Sequence, residues 1–83
     1  MKKVTVGDRV TTKTAEPAFY SGYALNPEQW FNPGMVGTVA RVNVPCVAHQ
    51  KGKPYSYNCI DFIGKNGKVW RVGLYSRDVV KVA

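Results

Sequence analysis

Tyr55-Ser56-Tyr57-Asn58-Cys59-Ile60-Asp61-Phe62-Ile63, then Gly64-Lys65-Asn66-Gly67, then Lys68-Val69-Trp70-Arg71-Val72-Gly73-Leu74: this stretch decides the fold. Both flanks are rich in β-branched and aromatic residues, and successive side chains of a strand point to opposite faces. Ser56, Asn58, Ile60 and Phe62 therefore share one side, and Tyr55, Tyr57, Cys59, Asp61 and Ile63 the other, with Ile60 and Phe62 placed inside. On the returning run Trp70, Val72 and Leu74 share a face. Asn-Gly accepts the positive φ that a tight turn demands, so the two runs read as a β-hairpin.

Towards the N-terminus, Met35 to Val44 reads as another strand, ended by Pro45. Val36 and Val42 fit one face and Val39 the other, so the pattern predicts a bulge or bend, with Gly37 as its place. Arg9 to Thr14 is β-branched and alternating, with Val10 and Thr12 on one face, and Gly7-Asp8 is a turn leading into it. A short alternating run, Val4-Thr5-Val6, precedes that turn. Between Ala15 and Gly34 lies a long excursion broken by Pro17, Pro27 and Pro33. Within it Asn26-Pro27-Glu28-Gln29 predicts one helical turn, capped by Asn26 with Pro27 at the first helical position. Phe19, Tyr20, Tyr23, Trp30 and Phe31 all belong to this excursion, which predicts that it packs against the body. After the hairpin, Tyr75-Ser76-Arg77-Asp78 predicts one 3₁₀ turn and Val79 to Val82 a last short strand.

The fold class so read is all-β, a single domain over residues 1–83. Five short strands form it, with a long aromatic-rich first loop and a 3₁₀ turn before the last strand. An open sheet of this size leaves two raw edges, so the strands are expected to close into a small barrel. With 45% hydrophobic residues and ten aromatics among 83, the chain is not of the disordered class. No run approaches the ~20 apolar residues of a membrane span. No apolar segment precedes Asp8, which speaks against a signal peptide. Two cysteines are too few for a disulfide-built scaffold. The expected setting is the cytoplasm, with no membrane contact and the oligomeric state left open.

Charge narrows the partner. The net charge is +7, and it is uneven: residues 1–40 carry four cations against three acids, residues 41–83 eight against two. Such a field attracts polyanions. Arg41, Lys51, Lys53, Lys65, Lys68 and Arg71 are the candidate phosphate contacts, and Tyr55 and Tyr57 are candidate stacking rings on the face expected for Arg71. Cations beside rings are what RNA or single-stranded nucleic acid requires, phosphate neutralisation plus a stacking surface. The rival is a protein partner, docked on the basic face or in an aromatic groove formed by Phe19, Tyr20, Tyr23, Trp30 and Phe31.

Catalysis and metal binding find little footing. Cys46, His49, Cys59 and Asp61 can be drawn as a zinc site, but structural zinc prefers paired Cys-x₂-Cys knuckles and there are none. A Cys46–Cys59 disulfide needs those strands to be neighbours and an oxidising compartment. A cysteine nucleophile would have only His49 as base, with no third group to orient it. No glycine-rich phosphate loop occurs. The chain is therefore read as a non-enzymatic binding module with no cofactor and no metal.

Val6-Gly7-Asp8-Arg9-Val10, Gly34-Met35-Val36-Gly37-Thr38-Val39, Ile60-Asp61-Phe62, Val69-Trp70-Arg71-Val72 and Asp78-Val79-Val80-Lys81-Val82 together resemble the SH3-like small-barrel superfamily. One branch comprises KOW-type ribosomal and translation-factor domains, which bind RNA. Another holds photosystem I subunit IV, the variable chain of ferredoxin–thioredoxin reductase and the nitrile hydratase β-chain domain, accessory modules that dock on proteins. The resemblance spans nearly the whole chain and rests on turn and core residues. It implies a five-stranded barrel and a binding role, without naming the ligand.

Overall fold

The hairpin read between residues 55 and 74 forms one end of the main sheet. In this computed structural model, which describes residues 3–18, 30–46, 55–65 and 67–82, strands β1 (Arg9–Thr12), β2 (Glu16–Pro17), β3 (Trp30–Phe31), β4 (Gly37–Cys46), β5 (Tyr55–Ile63), β6 (Val69–Leu74) and β7 (Val79–Lys81) follow in order. A 3₁₀ turn, Ser76–Asp78, separates the last two, as the sequence predicts. β5 and β6 pair antiparallel without a break, from Asn58 opposite Leu74 to Ile63 opposite Val69. The turn between them closes with the Gly67 amide on the Gly64 carbonyl and the Gly64 amide on the Lys68 carbonyl, at 2.9 and 2.8 Å. Gly67 takes φ +83°, the left-handed conformation for which glycine carries no Cβ penalty.

Five strands make one sheet in the order β6-β5-β4-β1-β7, and β2 and β3 form a separate two-stranded ribbon. Barrel closure was the expectation for five strands. The hydrogen-bonded sheet is instead open, with β6 and β7 at its two ends. β7 has only three residues, all of them paired with β1. The ribbon lies against β6 through β2, so the inner face is covered from that side by added chain.

Val4 to Val6 is not a strand. Thr5 to Asp8 form a turn in which the Asp8 amide donates to the Thr5 carbonyl at 3.1 Å and Gly7 sits at φ +94°. The Asp8 carboxylate accepts back from the Thr5 amide at 2.9 Å. Gly7 and Asp8 then bond Val39 through their backbones, extending the β1–β4 ladder. The predicted turn at 26–29 lies outside the described residues.

The bulge expected in β4 exists, but not at Gly37. Register slips occur between Val39 and Arg41 and again between Arg41 and Val44, so β4 carries two residues more than β5 opposite. Asn43, in the second slip, adopts φ 54°, a conformation Asn tolerates better than most residues. Its amide donates to Oδ1 of Asn58, whose Nδ2 donates to the Leu74 carbonyl and to Ser76 Oγ. One buried amide thus ties the bulge, the end of β6 and the 3₁₀ turn together, with its polar atoms satisfied. Gly37 is needed for another reason: a Cβ there would stand 2.6 Å from Ile60 Cγ2 and 2.8 Å from the Asp61 carbonyl oxygen.

The core is Val10, Ala18, Phe31, Val39, Ile60, Phe62, Val72 and Leu74. Phe31 and Phe62 meet with ring centroids 4.9 Å apart. Each fully buried large side chain contributes on the order of 1.5–3 kcal/mol. Val10, Ile60, Phe62, Val72 and Leu74 fall inside where alternation puts them, and Thr12 joins them, its hydroxyl donating to the Thr14 carbonyl.

Candidate nucleic-acid interface

The register sorts the outward side chains into rows across the strands. Arg9 on β1 stands opposite Thr38 on β4, Thr38 opposite Asp61 on β5, and Asp61 opposite Arg71 on β6. One row further along β5, Arg41 faces Cys59, whose side chain is buried although it shares this side of the strand, and Cys59 faces Gly73. A further step brings Tyr57 opposite Val44. Arg41, Tyr57 and Arg71 therefore belong to one face, the face anticipated for Arg71 and Tyr57. Arg9, Arg41 and Arg71 are exposed and Tyr57 is half-buried.

Lys65 and Lys68 are exposed at the turn beyond the ends of β5 and β6. From Tyr57 to Ile63, β5 runs about 20 Å at ~3.3 Å per residue, and Lys65 lies just past its end. The candidate cations and ring are thus strung along a stripe. Lys51 and Lys53 lie outside the described residues; Tyr55 is placed only through its backbone, paired with Cys46.

Arg71 is not a simple phosphate contact. Its Nε donates to Asp61 Oδ1 at 2.7 Å and its Nη2 to Oδ2 at 3.1 Å, a fork-on-fork pair. Asp61, which showed no recognisable partner in the sequence, has one directly across the ladder. The pair is over a third exposed on each side, so it adds at most about 1 kcal/mol to stability. Its larger effect is to place a carboxylate amid the cations. Arg9 was missed as a member of this face, because nothing local in the sequence says that β1 lies beside β4.

Elsewhere, Lys81 stands 3.3 Å from Asp8, and Arg77 sits over the Tyr75 ring at 5.2 Å. The Thr5 amide donating to the Asp8 carboxylate, with Lys81 beside it, holds that carboxyl below the usual aspartate range.

The aromatic groove is reduced by the structure. Phe31 is wholly buried against Phe62 and is a core residue, unavailable to a partner. Its pairing with Glu16 in the β2–β3 ribbon turns the ring inward. Trp30, next to it, is half-buried opposite Pro17. Phe19, Tyr20 and Tyr23 lie outside the described residues. Of the drawn zinc ligands, Asp61 gives both oxygens to Arg71, Cys59 is a buried free thiol, and His49 is outside the described residues. Among the described residues no three His, Cys, Asp or Glu side chains converge.

Compared with protein-family models, curated proteins and solved structures, the chain matches none of them.

Proposed function

We propose that this chain is a non-enzymatic binding module that holds RNA or another single-stranded nucleic acid along the outward face of β4, β5 and β6. The observation that carries the reading is the common face of Arg41, Tyr57 and Arg71, continued by exposed Lys65 and Lys68 at the hairpin turn. Phosphates meet the cations, and a base meets the Tyr57 ring. The net charge of +7 draws a polyanion to the molecule whatever its sequence. We also propose that the architecture is of the SH3-like small-barrel kind, on the strength of the order β6-β5-β4-β1-β7, the added ribbon against β6 and the 3₁₀ turn before β7. A basic module of that kind accords with the RNA-binding branch of the resemblance.

The test is salt-dependent binding of a fluorescent single strand. Affinity falls with salt in proportion to the phosphates engaged, by about 0.7 in log–log slope for each. Replacing Arg41, Lys65 and Lys68 by Gln is expected to flatten that slope by about 2. An unchanged slope removes this face as the site. Absence of any salt-dependent binding by the unaltered chain removes the function, and leaves a protein partner as the alternative.

A further inference from the structure

The outward face carries a feature that phosphate binding does not use. Ile63 and Val69 are cross-strand partners, and they are 65% and 67% exposed. Val36, one residue before β4 and two before Thr38, the partner of Asp61, is exposed as well. Three exposed β-branched aliphatic side chains thus lie near one end of the sheet, two of them cross-strand partners. In a chain this short, apolar surface is scarce and most of it is needed inside. Single exposed aliphatics are ordinary, but an exposed cross-strand pair with a third just before the start of the neighbouring strand is a patch.

Cations border the patch on both sides. Lys65 and Lys68 lie beyond it on the turn; Arg9 and Arg71 lie in the next outward row, about 7 Å away along the strands, with Thr38 and Asp61, the partner of Arg71, between them. An apolar strip between two cationic borders matches an anionic chain with flat apolar groups projecting from it. We infer that Val36, Ile63 and Val69 form a base-contacting strip, on which unpaired bases lie while their phosphates reach Lys65, Lys68 and the arginine row. This inference deepens the proposed function and rests on it. It assigns the selectivity: a single strand offers its base faces to the strip, whereas a duplex keeps them stacked inside and offers only phosphates.

The test uses the full chain and three fluorescent probes: a single-stranded RNA of about 10 nucleotides, within what one small barrel covers, the same length without bases, and the corresponding duplex. Ile63→Thr with Val69→Thr keeps β-branching at both positions and side-chain volume at Val69, and both positions are exposed, so the fold survives. The double variant is expected to lose about tenfold or more in affinity for the single strand, with the salt slope unchanged, while affinity for the base-free strand stays as before. Preference for single strand over duplex falls by the same factor. Lys65→Gln with Lys68→Gln does the reverse: the slope drops by about 1.4, and the preference for bases remains.

If the threonine variant binds the single strand as tightly as the unaltered chain, which itself shows a steep slope, the strip is refuted and the proposed function stands. If the unaltered chain binds no strand with a salt slope, both fail together. Retention on vesicles containing phosphatidylserine, or self-association by sedimentation, refutes the strip as a base contact when the threonine variant abolishes it and leaves RNA affinity untouched.

Discussion

The two faces of the five-stranded sheet are built from alternate residues of the same strands, yet they obey different rules. Inward, Val10, Val39, Ile60, Phe62, Val72 and Leu74 are buried and touch apolar neighbours from distant parts of the chain. Outward, Arg9, Arg41, Ile63, Val69 and Arg71 are exposed, and the carboxylate of Asp61 is held by one guanidinium. The inner face is defined by the water it excludes, so nearly every change there costs stability. The outer face contributes little to folding and is free to vary in charge and polarity, which is where a binding surface can be written.

The contrast can be broken most severely from the inside. Phe62→Ala removes a ring packed on Phe31 and is expected to cost about 3–5 kcal/mol in urea unfolding; a loss below about 1 kcal/mol would mean the two rings are not the centre of the core. Gly37→Ala comes next. The added methyl meets the Ile60 side chain and the Asp61 backbone, and a cost of about 1–3 kcal/mol is expected from overpacking. Unchanged stability there would show that β4 and β5 do not approach as closely as described.

On the outside the signs change. Asp61→Asn is expected to move stability by no more than about 1 kcal/mol. It should instead tighten nucleic-acid binding several-fold, because it removes an anion from the cationic stripe and releases Arg71 from its fork; titration by fluorescence anisotropy reads this. Weaker binding would mean that Asp61 positions Arg71 for the ligand.

The smallest effect concerns Asp8. Its carboxyl is lowered in the folded protein by the Thr5 amide and Lys81, so the charged form favours folding. That contribution is complete above the ordinary aspartate value and disappears as pH falls through the lowered one. Asp8→Asn is expected to flatten the acid limb of the stability curve slightly, seen in urea midpoints from about pH 6 to about pH 2. Superimposable curves would mean that the turn forms without the charge.

Particular residues show how much was legible beforehand. Asn66-Gly67 announced the hairpin, since a left-handed turn residue is a local property of the chain. Ile60, Phe62, Val72 and Leu74 announced the core face through their period of two. Gly37 was correctly singled out for the wrong job: a bend is a local inference, whereas its actual constraint, the closeness of Ile60 and Asp61, comes from a strand more than twenty residues away. Phe31 looked like one of five loop aromatics, and only the ribbon with Glu16 and Pro17 turns it into the core.

Strand character, the inward set of side chains and the tight turn follow from residue types and their spacing, because each depends on neighbours along the chain. The fork of Arg71 on Asp61, the place of Arg9 beside Thr38 and the exposed pair of Ile63 and Val69 depend on which strands lie side by side and in what register. Register is a non-local quantity in which a slip of one residue exchanges the faces of a strand, and the two extra residues in β4 reset it twice. The candidate binding surface is therefore a product of assembly, written in residues whose types say nothing of their neighbours.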